Sequence, residues 1–140
     1  MNAAAPSDRL RRLDEAALLL RSRTPLQPAM GIILGSGLGA FADSLEAAVS
    51  VPYAEIPHFP ASTVVGHGGA LVVGRCQGVP VAVMKGRVHY YEGYTLEQVV
   101  FPARVLGRLG IQTLLLEQTR VHERGCYVRS KLPQDVGVPF

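Results

Sequence analysis

The stretch Lys85-Gly86-Arg87-Val88-His89-Tyr90-Tyr91-Glu92-Gly93-Tyr94 concentrates side chains that bind anions and sugars. A guanidinium grips an oxyanion through two parallel N–H donors, and Arg87 offers that service. His89 can donate to the same anion or to a sugar hydroxyl, and Tyr91 presents a ring and a hydroxyl to a sugar. An extended backbone would place Arg87, His89 and Tyr91 on one face through its two-residue period. Glu92 would then face the other way, or orient a neighbour. The plainer alternative is a solvated polar loop with Tyr90 or Tyr94 packed on the core. His67, in Val65-Gly66-His67-Gly68-Gly69, stands in a glycine-rich turn where an isolated histidine is more often incidental than functional.

A second anion-friendly feature is Gly35-Ser36-Gly37-Leu38-Gly39-Ala40. Placed between a strand and a helix, such glycines let successive N–H groups point inward, and the helix N-terminus adds favourable dipole charge. The Ser36 hydroxyl can donate to the same oxygens. The string also fits the dinucleotide fingerprint G-x-G-x-x-A, with Glu55 about twenty residues beyond Gly35. Against a dinucleotide-binding module, Pro52 and Pro57 interrupt the second parallel strand that this fingerprint requires. The turn lacks the Gly-Lys-Ser/Thr of a P-loop. Leu34 also stands where a nucleophile elbow needs its first glycine.

The elements that must position these groups follow from spacing. Ser7 or Asp8 is expected to cap a helix with Leu10, Leu13, Ala17 and Leu20 on its apolar face, ended by Thr24 to Pro28. Gly31 to Leu34 reads as a buried strand, and a weak helix is expected from the glycine turn to about Ala48. Prolines from Val51 to Pro60 impose an extended, edge-like or loop path. Ala70 to Val73 and Val79 to Met84 read as strands joined by a hairpin over Gly74 to Gly78. Thr95 to Leu109 is a helix capped by Thr95 with Gln98 and closed by Gly110, with a kink or restart expected at Pro102. Ile111 to Leu116 is a further buried strand. The alternation indicates an α/β fold, a mixed β-sheet flanked by helices.

Composition excludes several classes. With 48% hydrophobic and 18% charged residues the chain suits a soluble globular protein, and its apolar runs are far below a membrane span. The net charge of +3 is scattered, without a basic stripe interleaved with aromatics, so no nucleic-acid partner is expected. Cys76 and Cys126 are too few for a disulfide framework or a metal cluster. Asp8, Asp14 and Glu15 argue against a transit peptide at the arginine-bearing N-terminus, making a cytoplasmic location the expectation. From Glu117 to Phe140 periodicity is lost, and an irregular tail is expected beyond a unit spanning residues 1–116.

Three strings in register resemble the trimeric purine nucleoside phosphorylase family: Gly35-Ser36-Gly37-Leu38-Gly39, then Ile56-Pro57-His58-Phe59-Pro60 leading through Ser62-Thr63-Val64-Val65-Gly66-His67, then Gly86 to Tyr94. Order and spacing match over about Gly31 to Leu116. The related methylthioadenosine phosphorylases differ in the third string. The resemblance implies a nucleoside phosphorylase-like fold and cleavage of purine (deoxy)ribonucleosides by inorganic phosphate, giving free base and pentose 1-phosphate. It implies no metal and no organic cofactor, phosphate being a co-substrate. By position it makes Ser36, His67, Arg87 and His89 phosphate ligands, Tyr91 the sugar contact, and Glu92 a support of the phosphate site, with His89 and Glu92 closest to the chemistry. It also implies a homotrimer.

The family's base-reading glutamate and asparagine lie later in the chain, and its next loop is of Thr-Asn-Ala-Ala-Gly-Gly type. Here Glu117-Gln118-Thr119-Arg120 follows instead. That break leads to the expectation of a frameshift, a truncated gene or an altered terminus. It also keeps open a catalytically inactive fragment that retains part of the phosphate site.

Overall fold

A computed structural model of the chain describes residues 6–35, 38–60, 69–88 and 92–116. Helix α1 spans Pro6–Arg23. Strand β1 is Met30–Ile33, helix α2 Gly39–Asp43, and strand β2 Glu46–Pro52, which runs into a 3-10 turn at Tyr53–Glu55. Strands β3, Ala70–Cys76, and β4, Val79–Lys85, precede helix α3, Leu96–Arg108, and strand β5, Thr113–Leu116. The strands form one mixed sheet in the order β2-β3-β4-β1-β5. Strand β1 runs parallel to both β4 and β5, while β3 is antiparallel to β4 and to β2.

Side chains divide between the two faces of this sheet with the period of two that strands impose. Ile33, Leu71, Val73, Ala82 and Met84 pack beneath α1 and α3 with Ala16, Leu20, Val105 and Leu106. Ile32, Leu34, Val72, Val81 and Val83 face the other way, against Ala42 and Leu45. The first face is roofed by two helices and the second by the short α2.

Several sequence expectations need correction. Helix α1 begins at Pro6, so Ser7 and Asp8 lie in its first turn rather than before it. Asp8 instead pairs with Arg11 at 2.5 Å and Arg12 at 3.0 Å. Leu10 is exposed, and core packing on α1 starts at Leu13. Helix α2 stops at Asp43 rather than continuing toward Ala48, and Glu46–Pro52 is the edge strand β2. A register shift between Glu46 and Val49, with Ala47 at φ 51°, kinks that edge as bulges do. The β3–β4 connection is shorter than Gly74 to Gly78. Only Gln77 and Gly78 turn, both at positive φ, as a type I′ hairpin requires. Gly74 is a strand residue paired with Val81, and glycine is needed there because a Cβ would stand 2.9 Å from the Leu45 Cβ and 3.0 Å from the Glu46 carbonyl oxygen.

Helix α3 carries the expected capping box: Gln98 N–H donates to Thr95 Oγ1 at 3.2 Å, and Thr95 N–H donates to Gln98 Oε1 at 2.9 Å. At its other end Gly110, at φ 91°, and Ile111 donate to the carbonyls of Gly107 and Leu106, closing a Schellman motif. The helix runs through buried Pro102 without a restart. Replacing Thr95 by alanine is expected to cost about 1 kcal/mol. Urea unfolding would register this as a lower midpoint at unchanged slope.

Ion pairs bind α1 to its surroundings: Arg108 with Asp14 at 2.6 Å, and Arg9 with Glu97 at 3.2 Å. Asp8, Asp14 and Glu15 are held below the ordinary carboxylate range, chiefly by hydrogen bonds from Arg11, Arg108 and His58 respectively. A lowered carboxylate stabilises the fold above its unfolded-state pKa, and that contribution is lost as pH falls through the folded-state value. Melting temperature is therefore expected to fall on acidification from about pH 6 to about pH 3, and 1 M salt should flatten that dependence by screening exposed pairs.

Candidate functional site

Parallel pairing aligns Ile33 at the end of β1 with Met84 near the end of β4 and with Leu116 at the end of β5. The antiparallel strands bring Ala70 beside Lys85 and Pro52 beside Ala70. One edge of the sheet therefore collects Gly35, Tyr53, Gly69, Arg87 and Leu116, from segments far apart in sequence. Open α/β sheets keep their ligands at the carboxyl ends of parallel strands, and this is that edge.

Arg87 is half-buried at the rim of a cavity of about 330 Å³ whose walls include Ile33, Tyr53, Met84, Val88 and Leu116. Among the described residues no carboxylate pairs with its guanidinium. An unpaired cation against apolar walls attracts anions more strongly than one in open water. Strand β4 ends at Lys85, and Gly86 takes φ 95°, so the extended run does not continue unbroken into Arg87. Glu92 lies on the surface, just before the Gly93 turn at φ 93°. Ser36, His67, His89 and Tyr91 lie outside the described residues. Of the six residues read from the sequence, the structure thus describes Arg87 and Glu92.

Two residues near this edge had no role in the sequence reading. Tyr53 is buried among Val51, Ile56, Phe59 and Phe101, with ring centroids 5.3 Å apart between Tyr53 and Phe59. Its hydroxyl donates to the Gly86 carbonyl at 2.6 Å, and its N–H donates to the Gly69 carbonyl at 3.0 Å. Burial pushes its phenol above the usual range, so it stays protonated and able to donate. Lys85 reaches across to α2, its Nζ 3.1 Å from Asp43 Oδ1 and its Cε 3.0 Å from where a Cβ on Gly39 would stand. Gly39 therefore makes room for a lysine stem, a reason for glycine that the turn string does not reveal. The sequence signal for both was only position: one residue past a strand end, and one at it.

The topology also decides against dinucleotide binding. The strand after the glycine turn is β2, which pairs antiparallel with β3 at the far edge of the sheet rather than beside β1. Glu55 pairs with Arg23 at 3.1 Å. Among the described residues the glycine turn opens no βαβ unit that would present a ribose to it. Among the described residues no cluster of His, Cys, Asp and Glu is arranged to hold a metal ion, and no helix is long and apolar enough to cross a membrane. Cys76 is a free thiol, and Cys126 lies outside the described residues.

Comparison with known proteins matches residues 29–117 to the family model of the phosphorylase superfamily. The chain belongs to that superfamily. Purine nucleoside phosphorylase 1 of Geobacillus stearothermophilus is 50% identical over 104 residues, which is 74% of this chain and 38% of the relative. The purine nucleoside phosphorylase of Bos taurus is 45% identical over 73% of this chain and 35% of its own length. A Schistosoma mansoni purine nucleoside phosphorylase, solved with cytosine and ribose-1-phosphate, superposes with TM-score 0.72. It is 40% identical over 76% of this chain and 37% of that one. The chain spans a little over a third of the length of these relatives. The superfamily match covers the whole sheet, from β1 through β5, and so supports the mixed α/β fold read from the sequence.

Proposed function

We propose that the chain serves purine nucleoside phosphorolysis by holding inorganic phosphate at the carboxyl ends of β1 and β4. The observation that carries this reading is the adjacency of those two strand ends. It sets Gly35, just past β1, and Arg87, just past β4, at neighbouring strand ends, and among the described residues no carboxylate neutralises Arg87. Backbone N–H groups and the Ser36 hydroxyl would meet the phosphate from one side, Arg87 from the other, with His67 and His89 as further donors. Tyr91 would face the sugar, and Glu92 would steady the phosphate-binding loop.

In this reaction the C1′–N bond to the purine breaks and its electron pair leaves with the base, which takes up a proton. A phosphate oxygen forms the new bond to C1′. The sugar passes through an oxocarbenium-like state, and a clamped dianion beside it both stabilises that cation and attacks it. No metal or organic cofactor has a part in this scheme. The purine nucleoside phosphorylases similar to this chain support the choice of purine nucleoside as substrate, and a cytoplasmic setting and a homotrimer belong to the same proposal.

A second reading is phosphate binding without turnover. An assay with purified chain, inosine or guanosine, and phosphate separates the two. Release of free base that requires phosphate is the result expected of the phosphorylase. A folded sample that binds phosphate yet releases no base contradicts turnover and leaves the binding reading.

A further inference from the structure

Tyr53 touches both stretches of chain that enter the anion-binding edge, through three separate contacts. Its hydroxyl donates to the Gly86 carbonyl, its N–H donates to the Gly69 carbonyl, and its ring fills the space that a side chain on Gly69 would need. Gly69 and Gly86 lie close together, since a Cβ added to Gly86 would fall 3.4 Å from the Gly69 Cα. Gly69 closes the segment that holds His67 in sequence, and Gly86 opens the one that holds Arg87.

The carbonyl of Gly86 and the N–H of Arg87 belong to one rigid peptide plane. Fixing the carbonyl oxygen fixes the plane from which Arg87 departs and, across a trans peptide, turns the Arg87 N–H away from Tyr53. Without that hydrogen bond, Gly86 at φ 95° is free to rotate, because glycine meets little steric resistance there.

We infer that Tyr53 is a positioning residue for the phosphate site. It sets the angle at which Arg87 leaves β4 and the separation of the two loops that approach the anion. This rests on the proposed function and adds to it a residue that touches neither phosphate nor sugar.

The test is a titration of inorganic phosphate into the unmodified chain, Tyr53→Phe and Arg87→Ala, each checked for folding by its melting transition. Phenylalanine keeps the ring and removes only the hydroxyl. Loss of one neutral hydrogen bond should weaken phosphate binding about fivefold. The amide resonances of Gly86 and Arg87 should move, and those of Gln77 and Gly78 at the opposite end of β4 should not. A second readout needs no variant: the Tyr53 ring carbon bearing the hydroxyl, labelled with carbon-13, should shift with phosphate at the same midpoint as the Arg87 amide. Unchanged affinity in Tyr53→Phe, or a Tyr53 signal indifferent to phosphate while Arg87→Ala abolishes binding, overturns the inference alone. No saturable binding by the unmodified chain overturns the proposed function and this inference with it.

Discussion

Replacing Arg87 by alanine is expected to weaken inorganic phosphate binding about 100-fold and, where the chain turns over nucleoside, to lower the rate by 100-fold or more. The size follows from the setting. Arg87 is half-buried and lines the same cavity as Ile33, Met84 and Val88, so water screens it less than a surface cation. Among the described residues no carboxylate competes for it, so its charge is available to an incoming anion. Lysine at this position should recover only part of the loss, because a point charge cannot supply two parallel donors to a phosphate edge. Titration calorimetry on the folded variants gives the affinities directly. An affinity within twofold of the unmodified chain would remove Arg87 from the site.

Replacing Gly69 by alanine is expected to destabilise the fold by about 3 kcal/mol, the upper part of the range for overpacked interiors. The new methyl would overlap Tyr53 Cε2 and Cδ2, with the Lys85 carbonyl oxygen 3.1 Å away. The ring has nowhere to go. It is 7% exposed, packed on Phe59, and fixed at its far end by the hydrogen bond to Gly86. Gly107→Ala is the matching control, since nothing lies within 4 Å of a Cβ there and the residue is helical. That change should raise stability by up to about 1 kcal/mol. Denaturant unfolding of both variants checks the pair. Equal stabilities would mean that Tyr53 yields easily and holds nothing in place.

What the sequence disclosed, it disclosed through local rules. Thr95 with Gln98, and Gly110 after the last turn, mark the ends of α3 because caps are satisfied by neighbours a few residues away. Strands β3 and β4 are visible as short continuous apolar runs because each is buried on both faces of the sheet. Strand β2 was hidden. The run from Ala40 to Ala48 has helix-forming residues, and only pairing with β3, some twenty residues later, commits Glu46 onward to a strand.

The site divides in the same way. Arg87 stood out because its neighbours in sequence are also polar and aromatic. Tyr53 did not, since its hydroxyl meets Gly86 across thirty-three positions. Lys85 was likewise legible as a cation but not as the partner of Asp43 forty-two positions away. The dinucleotide fingerprint matched at Gly35 to Ala40 and at Glu55, yet strand order, which no short string encodes, placed Glu55 against Arg23.

The central claim is that phosphate binds where the carboxyl ends of β1 and β4 meet, with Arg87 as its principal cation. A rival location exists on the surface, the arginines of α1, although Arg11 and Arg12 are already paired with Asp8. Inorganic phosphate titrated into nitrogen-15-labelled chain, read at backbone amides, separates the two. Saturable shifts are expected at Gly35, Gly39, Gly86 and Arg87 with one common midpoint, while α1 and the Gln77–Gly78 turn stay still. Shifts confined to α1, or linear drift without saturation at the strand ends, would contradict the claim.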